Sequence, residues 1–170
     1  MILEGRVWKF DRDIAATDLL PGRYDKLGMR REWDLCAQHL LEDVDSSVAG
    51  RLRKGDLLMV GGTLGLGHCH YYGPSIMACR SAGIGGILAR DINEMFFRAA
   101  TDLGLPTWRY PELVDQLATG EELTVDLAEG SAREAAGKHY ALAPVPALIL
   151  DIFNAGSSTN WALGRAGIAV

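Results

Sequence analysis

The sequence predicts an α/β domain built on a mixed, mainly parallel sheet, and three observations carry that expectation. In the middle of the chain, strand-like and helix-like segments alternate, a pattern that produces right-handed crossovers between parallel strands. Segments of alternating apolar and polar residues lie towards both ends and read as antiparallel additions. Between them, an apolar run over Asp56–Val60 leads through the glycine-rich stretch Gly61–Pro74 into a helix. Ligands of open α/β sheets bind beyond the carboxyl ends of strands, which is where such a turn falls.

Taken in order, Ile2–Phe10 alternates in part, with Val7, Trp8 and Phe10 against Arg6 and Lys9, and reads as the first strand. Asp11–Asp18 is polar and turn-prone, and Pro21-Gly22 marks another turn. Residues 25–34 hold a basic cluster that reads as a solvated loop or a substrate loop; Leu35–Leu41 looks helical. After Lys54-Gly55 comes the buried strand Asp56–Val60. Ser75–Ala82 is helical, with Pro74 at the first helical position, where a missing N–H costs nothing. Ile84–Ala89 is a second buried strand. The next helix runs from Asp91, as N-cap, to Gly104 at C′. Leu105–Trp108 is extended and Pro111–Leu117 is a small helix. Glu122–Leu127 is a half-exposed strand, with Lys138–Leu142 as its expected hairpin partner. Val145–Phe153 forms a last amphipathic helix closed by Gly156. Residues 157–170 are weakly patterned and are expected to order against a partner.

Composition bounds the function. At 170 residues one domain with a sizeable core is expected. A hydrophobic content of 48% and a charged content of 23% are ordinary for a soluble globular protein. The net charge of −5 and pI near 5.3 argue against nucleic acid or an anionic membrane as partner. No apolar stretch approaches the roughly 18 residues of a membrane span, and Met1–Arg6 lacks a signal-peptide layout, so the expected location is cytoplasmic. Cys36, Cys69 and Cys79 include no Cys-x-x-Cys pair. A disulfide framework is not expected, nor is an iron–sulfur cluster held by this chain alone, since that takes three or four thiolates.

The densest chemistry is His68-Cys69-His70, which gathers two of the four histidines and one of the three cysteines. Gly65 and Gly67 supply backbone freedom beside it. Free N–H groups at the start of the following helix favour a carboxylate or phosphate. Three readings stand: imidazoles that bind or react with substrate, a metal site of N and S ligands, or a structural turn with Cys69 as a small filler. Cys36 and Cys79 read as core residues, and so does the Met95-Phe96-Phe97 stripe. Arg23 is either an exposed arginine or a clamp for a substrate carboxylate.

In order along the chain, Gly5–Phe10, Thr17–Tyr24, Lys54–Asp56, Gly65–Gly67, Phe96–Ala100, Leu103–Pro106 and Leu150–Gly156 resemble the 3-isopropylmalate dehydratase small subunits. These are the separately encoded swivelling domain of the aconitase superfamily. The resemblance implies a three-layer β/β/α swivelling domain over residues 1–156, with 157–170 as a C-terminal tail. It also implies a large aconitase-type subunit as partner and a small hydroxy-carboxylate as substrate. The pair would act as a hydro-lyase, by dehydration alone, or as an isomerase, by dehydration and rehydration. The [4Fe–4S] cluster of such an enzyme is carried by the large subunit, where one iron binds the substrate hydroxyl as a Lewis acid. The small subunit contributes a Gly-x-Gly-Ser-Ser-Arg loop, whose first serine is the base and whose arginine holds a carboxylate. Substrate choice lies largely in the loop after the Arg-Tyr pair, here about residues 25–31.

Against that pattern, Ser-Ser-Arg falls on His68-Cys69-His70, and the Glu-His that follows falls on Tyr71-Tyr72. An Asp-Thr-Asp becomes Ala15-Ala16-Thr17-Asp18, an arginine of the Phe-rich helix becomes Glu94, and an asparagine becomes Ala99. The scaffold is kept while the polar inventory is replaced. A histidine can abstract a proton next to a carboxylate, so His68 is expected to be the base and His70 the carboxylate donor. Cys69 at a helix N-terminus is a candidate nucleophile. Arg23, Thr17, Asp18, Gly65 and Gly67 complete the expected substrate-binding set, with no metal ligand among them. Two other readings are a non-catalytic partner subunit and a stand-alone metal- or anion-binding domain that uses this turn.

Overall fold

The structure, a computed structural model, describes residues 1–168. Its elements in order are β1 (Ile2–Phe10), β2 (Ile14–Ala15), α1 (Ala16–Leu19), α2 (Asp25–Met29), α3 (Trp33–Ala37), β3 (Leu57–Leu66) and α4 (Tyr72–Ser81). Then come β4 (Gly86–Ile92), α5 (Glu94–Asp102), β5 (Thr107–Arg109), α6 (Pro111–Val114), β6 (Glu122–Asp126), β7 (Ser131–Glu134), β8 (His139–Ala141), α7 (Ala147–Ala155) and α8 (Ser158–Arg165).

The strands form one sheet in the order β5-β4-β3-β1-β6-β7-β8, with β2 beside the far end of β3. Pairs among β5, β4, β3, β1 and β2 are parallel, and β6, β7 and β8 add in antiparallel fashion, so the sheet is mixed and mainly parallel, as expected. The antiparallel addition holds at the C-terminal end alone, because β1 pairs parallel with β3 and lies inside the sheet. β3 is central because Leu57-Leu58-Met59-Val60 is apolar on both faces, as a strand covered on both sides must be. Leu58 and Val60 pack with Ile76, Cys79 and Phe96 of the helical layer. Leu57 and Met59 face a second core with Val7, Leu88, Tyr110, Leu123 and Val125. Successive side chains point to opposite faces, so one strand serves two cores and three layers result. No helix among the described residues is long and apolar enough to cross a membrane.

A buried carboxylate locks the entry to β3. Asp56 is 3% exposed, and it accepts hydrogen bonds from Trp8 Nε1 (2.7 Å), Arg6 (2.9 Å) and the Arg53 N–H (3.0 Å). These tie the β3 entry to β1.

Several expectations are corrected. The hairpin partner of β6 is β7, not Lys138–Leu142; β8 pairs with β7 instead. β7 is hard to read because its one buried residue is Ala132, flanked by Ser131, Arg133 and Glu134. The N-cap of α5 is Asn93, whose side chain accepts from the N–H groups of Met95 and Phe96, while Asp91 lies within β4. Residues 25–34 contain α2 and the start of α3 rather than one loop. The weakly patterned C-terminal segment holds α8, capped by Ser157 through the Asn160 N–H and packed on α7; residues 169–170 of that segment lie outside the described residues.

Candidate active site

The strand β3 extends to Leu66, so Gly61–Gly65 is sheet and the turn proper is short. A single 3-10 turn, Cys69–Tyr71, then leads into α4 at Tyr72. Pro74 is therefore the third helical residue rather than the first; it still sits in the first turn, where the N–H has no helical partner to lose. Gly65 has φ +80°, and a Cβ there would lie 2.2 Å from Phe96 Cγ, so the loop leaves the sheet directly against α5. Gly67, at φ +102°, faces open space and gives its carbonyl to the Tyr72 hydroxyl at 3.1 Å. That hydroxyl lies 3.4 Å from Asn93 Oδ1, and the Tyr72 ring meets Phe96 edge-on at 5.3 Å. The loop is thus fixed from below by the cap of α5. Gly65→Ala should cost about 2–4 kcal/mol by combining a left-handed non-glycine residue with overpacking. Urea unfolding measures it, and a loss under about 1 kcal/mol would show that Phe96 gives way freely.

On this base the structure presents His68, Cys69 and His70, all exposed. His68 Nδ1 accepts the His70 backbone N–H at 3.1 Å, and the His68 carbonyl accepts the Tyr71 N–H. His70 Nε2 lies 3.1 Å from both carboxylate oxygens of Asp25, the first residue of α2. The two imidazoles stand 6.5 Å apart. Asp25 lies outside the sequence-predicted set. Its signal is modest but real: it is the sole acid in the otherwise basic stretch 25–31. Beside this pair lies a cavity of about 480 Å³ walled by Met29, Trp33, Pro74 and Met77, with Arg31 in its lining.

The other expected residues divide. Ala15 of β2 pairs with Leu66 of β3, so α1, which carries Thr17 and Asp18, starts from the end of β3 that leads into the loop. Asp18, however, accepts from the Ala15 N–H (2.9 Å) and Arg12 (3.3 Å), so it caps α1 rather than standing free. Arg23 does not act as a free clamp. Its guanidinium donates to Asp43 at 2.7 and 2.8 Å and to Glu42 at 3.0 Å. Tyr24 adds a hydrogen bond to Glu42 and stacks on His39 at 3.8 Å. The Asp43 bond, above all, holds Arg23 above its ordinary value; Tyr24 and Arg23 hold Glu42 below the usual carboxylate range, and Arg23 does the same for Asp43.

Cys36 and Cys79 are buried, as expected of core residues; burial pushes both thiols up, Cys79 to about 12. Cys69 is exposed and so is not a core filler. Among the described residues no three His, Cys, Asp or Glu side chains converge as metal ligands.

No family model matches the sequence. Curated relatives do. The chain is 31% identical to the 3-isopropylmalate dehydratase small subunit of Thermodesulfovibrio yellowstonii, over 97% of this chain and 96% of that one. It is 34% identical to small subunit 1 of Thermotoga maritima, over 94% of each, and 30% identical to small subunit 2 of Archaeoglobus fulgidus, over the full length of both. A crystal structure of 3-isopropylmalate dehydratase from Methanocaldococcus jannaschii superposes with a TM-score of 0.84, covering 98% of this chain and 96% of that one at 22% identity. The three-layer α/β fold on a mixed sheet is therefore the fold of that dehydratase chain. The chain belongs to the family of 3-isopropylmalate dehydratase small subunits, which work as one half of two-subunit dehydratases.

Proposed function

We propose that this chain caps and completes the active site of a hydro-lyase whose other half is a large aconitase-type subunit. The pair would remove water from a small hydroxylated carboxylic acid of the 3-isopropylmalate type. Family membership over nearly the whole chain carries this reading. The His68-Cys69-His70 loop supports it, since it occupies the end of β3 where ligands of such sheets bind. The apolar walls of the neighbouring cavity suit an acid with a hydrocarbon branch.

The [4Fe–4S] cluster is assigned to the large subunit. Two of the cysteines here are buried apart from the loop, the third stands alone, and this donor set does not fit a cluster. Bound in the partner, the cluster supplies Lewis-acid assistance to the departing hydroxyl. This chain's part is to take a proton and hold a carboxylate. Arg23 is engaged elsewhere, so the carboxylate partners near the loop are the imidazole N–H groups, together with Arg31 of the cavity lining.

The test is anaerobic purification of a tagged chain from its native host, followed by iron analysis. A larger co-purifying chain with about four irons per complex is expected from a single cluster. Recovery of the chain alone, with zinc or without metal, would overturn the reading.

A further inference from the structure

The two histidines of the loop are not equivalent, and the difference follows from which partners can donate. A backbone N–H only donates, so the His70 N–H at 3.1 Å from His68 Nδ1 requires a lone pair there. The neutral His68 ring therefore carries its proton on Nε2 and offers a donor. A carboxylate only accepts, so His70 faces the two Asp25 oxygens, 3.1 Å from each, with an Nε2–H. In the neutral ring this leaves His70 Nδ1 with a free lone pair. It has no protein partner among the described residues, and the side chain is 52% exposed.

We propose that Asp25 is a positioning residue that fixes this tautomer of His70, making His70 Nδ1 the base of the reaction and His68 Nε2–H the donor to the substrate carboxylate. The base role rests on the dehydratase reading; the tautomer does not. This reverses the roles suggested by aligning His68 with the family's serine. Asp25 is itself well held, since its side chain is only 27% exposed and α2 packs on α4 where Gly28 passes Pro74. A carboxylate behind an imidazole sets ring orientation and balances the charge the ring gains on taking a proton.

In the step itself, the C–H bond next to the substrate carboxylate breaks and its proton goes to His70 Nδ1. Its electron pair becomes the C=C bond as the neighbouring C–O bond breaks. The C–O bond breaks with its electron pair on oxygen, and the departing hydroxide and the proton taken by His70 together make up the water lost; the large subunit would supply the assistance to that departure.

Nitrogen-15 NMR of the histidine rings in the full chain reads which nitrogen carries the proton, and kinetics of the complex with its large subunit read the consequence. In the native protein His70 should be protonated on Nε2 and bare on Nδ1. Asp25→Asn should weaken that preference and lower kcat about 10²-fold with KM changed less than roughly threefold, because only the base is impaired. Asp25→Ala, which removes the acceptor entirely, provides the same comparison if the asparagine variant fails to fold. A native proton on Nδ1, an unchanged tautomer in both variants, or kcat within roughly twofold of native would each overturn the proposal. If the native complex turns over no hydroxy-acid while the Asp25-dependent tautomer is present, the dehydratase reading fails and the positioning of His70 by Asp25 stands.

Discussion

Replacing His70 by alanine is expected to lower turnover of the two-subunit complex by about 10²–10⁴-fold, the range typical of losing a positioned general base. His70 is exposed and touches Asp25 and the edge of the Tyr71 ring, so its removal leaves the core intact. Folding and partner binding should survive, which makes the variant a clean kinetic probe. Steady-state kinetics of the complex should show the loss in kcat, with the thermal transition of the free chain within about 2 °C of native. A His70→Ala complex with native kcat would remove the base from this position. His68→Ala gives a different signature: it deletes a donor and also orphans the His70 N–H, so its effect on the loop is structural as well as chemical.

The second large effect concerns stability. Asp56→Ala should cost about 3–5 kcal/mol, because it strips a buried carboxylate from Arg6 and leaves Trp8 Nε1 and the Arg53 N–H without an acceptor. Acid should act on the native protein through the same group. Burial pushes the Asp56 carboxyl up, but the bonds from Trp8, Arg53 and Arg6 outweigh it and hold it below the usual range. A carboxyl depressed in the folded state contributes stability above its unfolded value of about 4, and that contribution disappears as pH falls through the lower native value. Urea unfolding at neutral and acid pH should show the native chain losing this increment and the Asp56→Ala chain lacking it throughout. Equal stability of the two proteins at neutral pH would contradict the role given to Asp56.

How much of the fold is legible in the sequence follows from how strongly each segment is patterned. β3, β4 and α5 announce themselves through runs such as Leu57–Val60 and the Met95-Phe96-Phe97 stripe, and β4 and α5 fall within a few residues of their expected places. β3 runs six residues past Val60 to Leu66, and Met95 of the stripe is exposed rather than core. β7 does not, since Ala132 is too small to mark a buried face. α8 does not because its faces are only half-buried and its composition is small and polar. The glycine-rich loop is visible as chemistry because glycines and imidazoles crowd together. Its partners are less so. Pairings such as His70 with Asp25, 45 residues apart, and Arg23 with Asp43, 20 apart, depend on side-chain direction, which local spacing does not encode. Arg23 looks free in the sequence because its neighbours Gly22 and Tyr24 say nothing about the acids that α3 and its following turn bring back to it. The family pattern points to the loop and cannot say how replaced residues divide its work.

The most direct measurement is turnover by the native chain reconstituted with its large subunit, offered branched and unbranched hydroxy-dicarboxylic acids and followed by formation of the C=C bond. Each subunit alone should be inactive, the complex active, and an acid with a branched hydrocarbon substituent preferred. A complex that assembles with the proposed cluster in place yet forms no unsaturated product from any of these acids would contradict the account, and would leave a partner subunit that kept its interface and lost its chemistry.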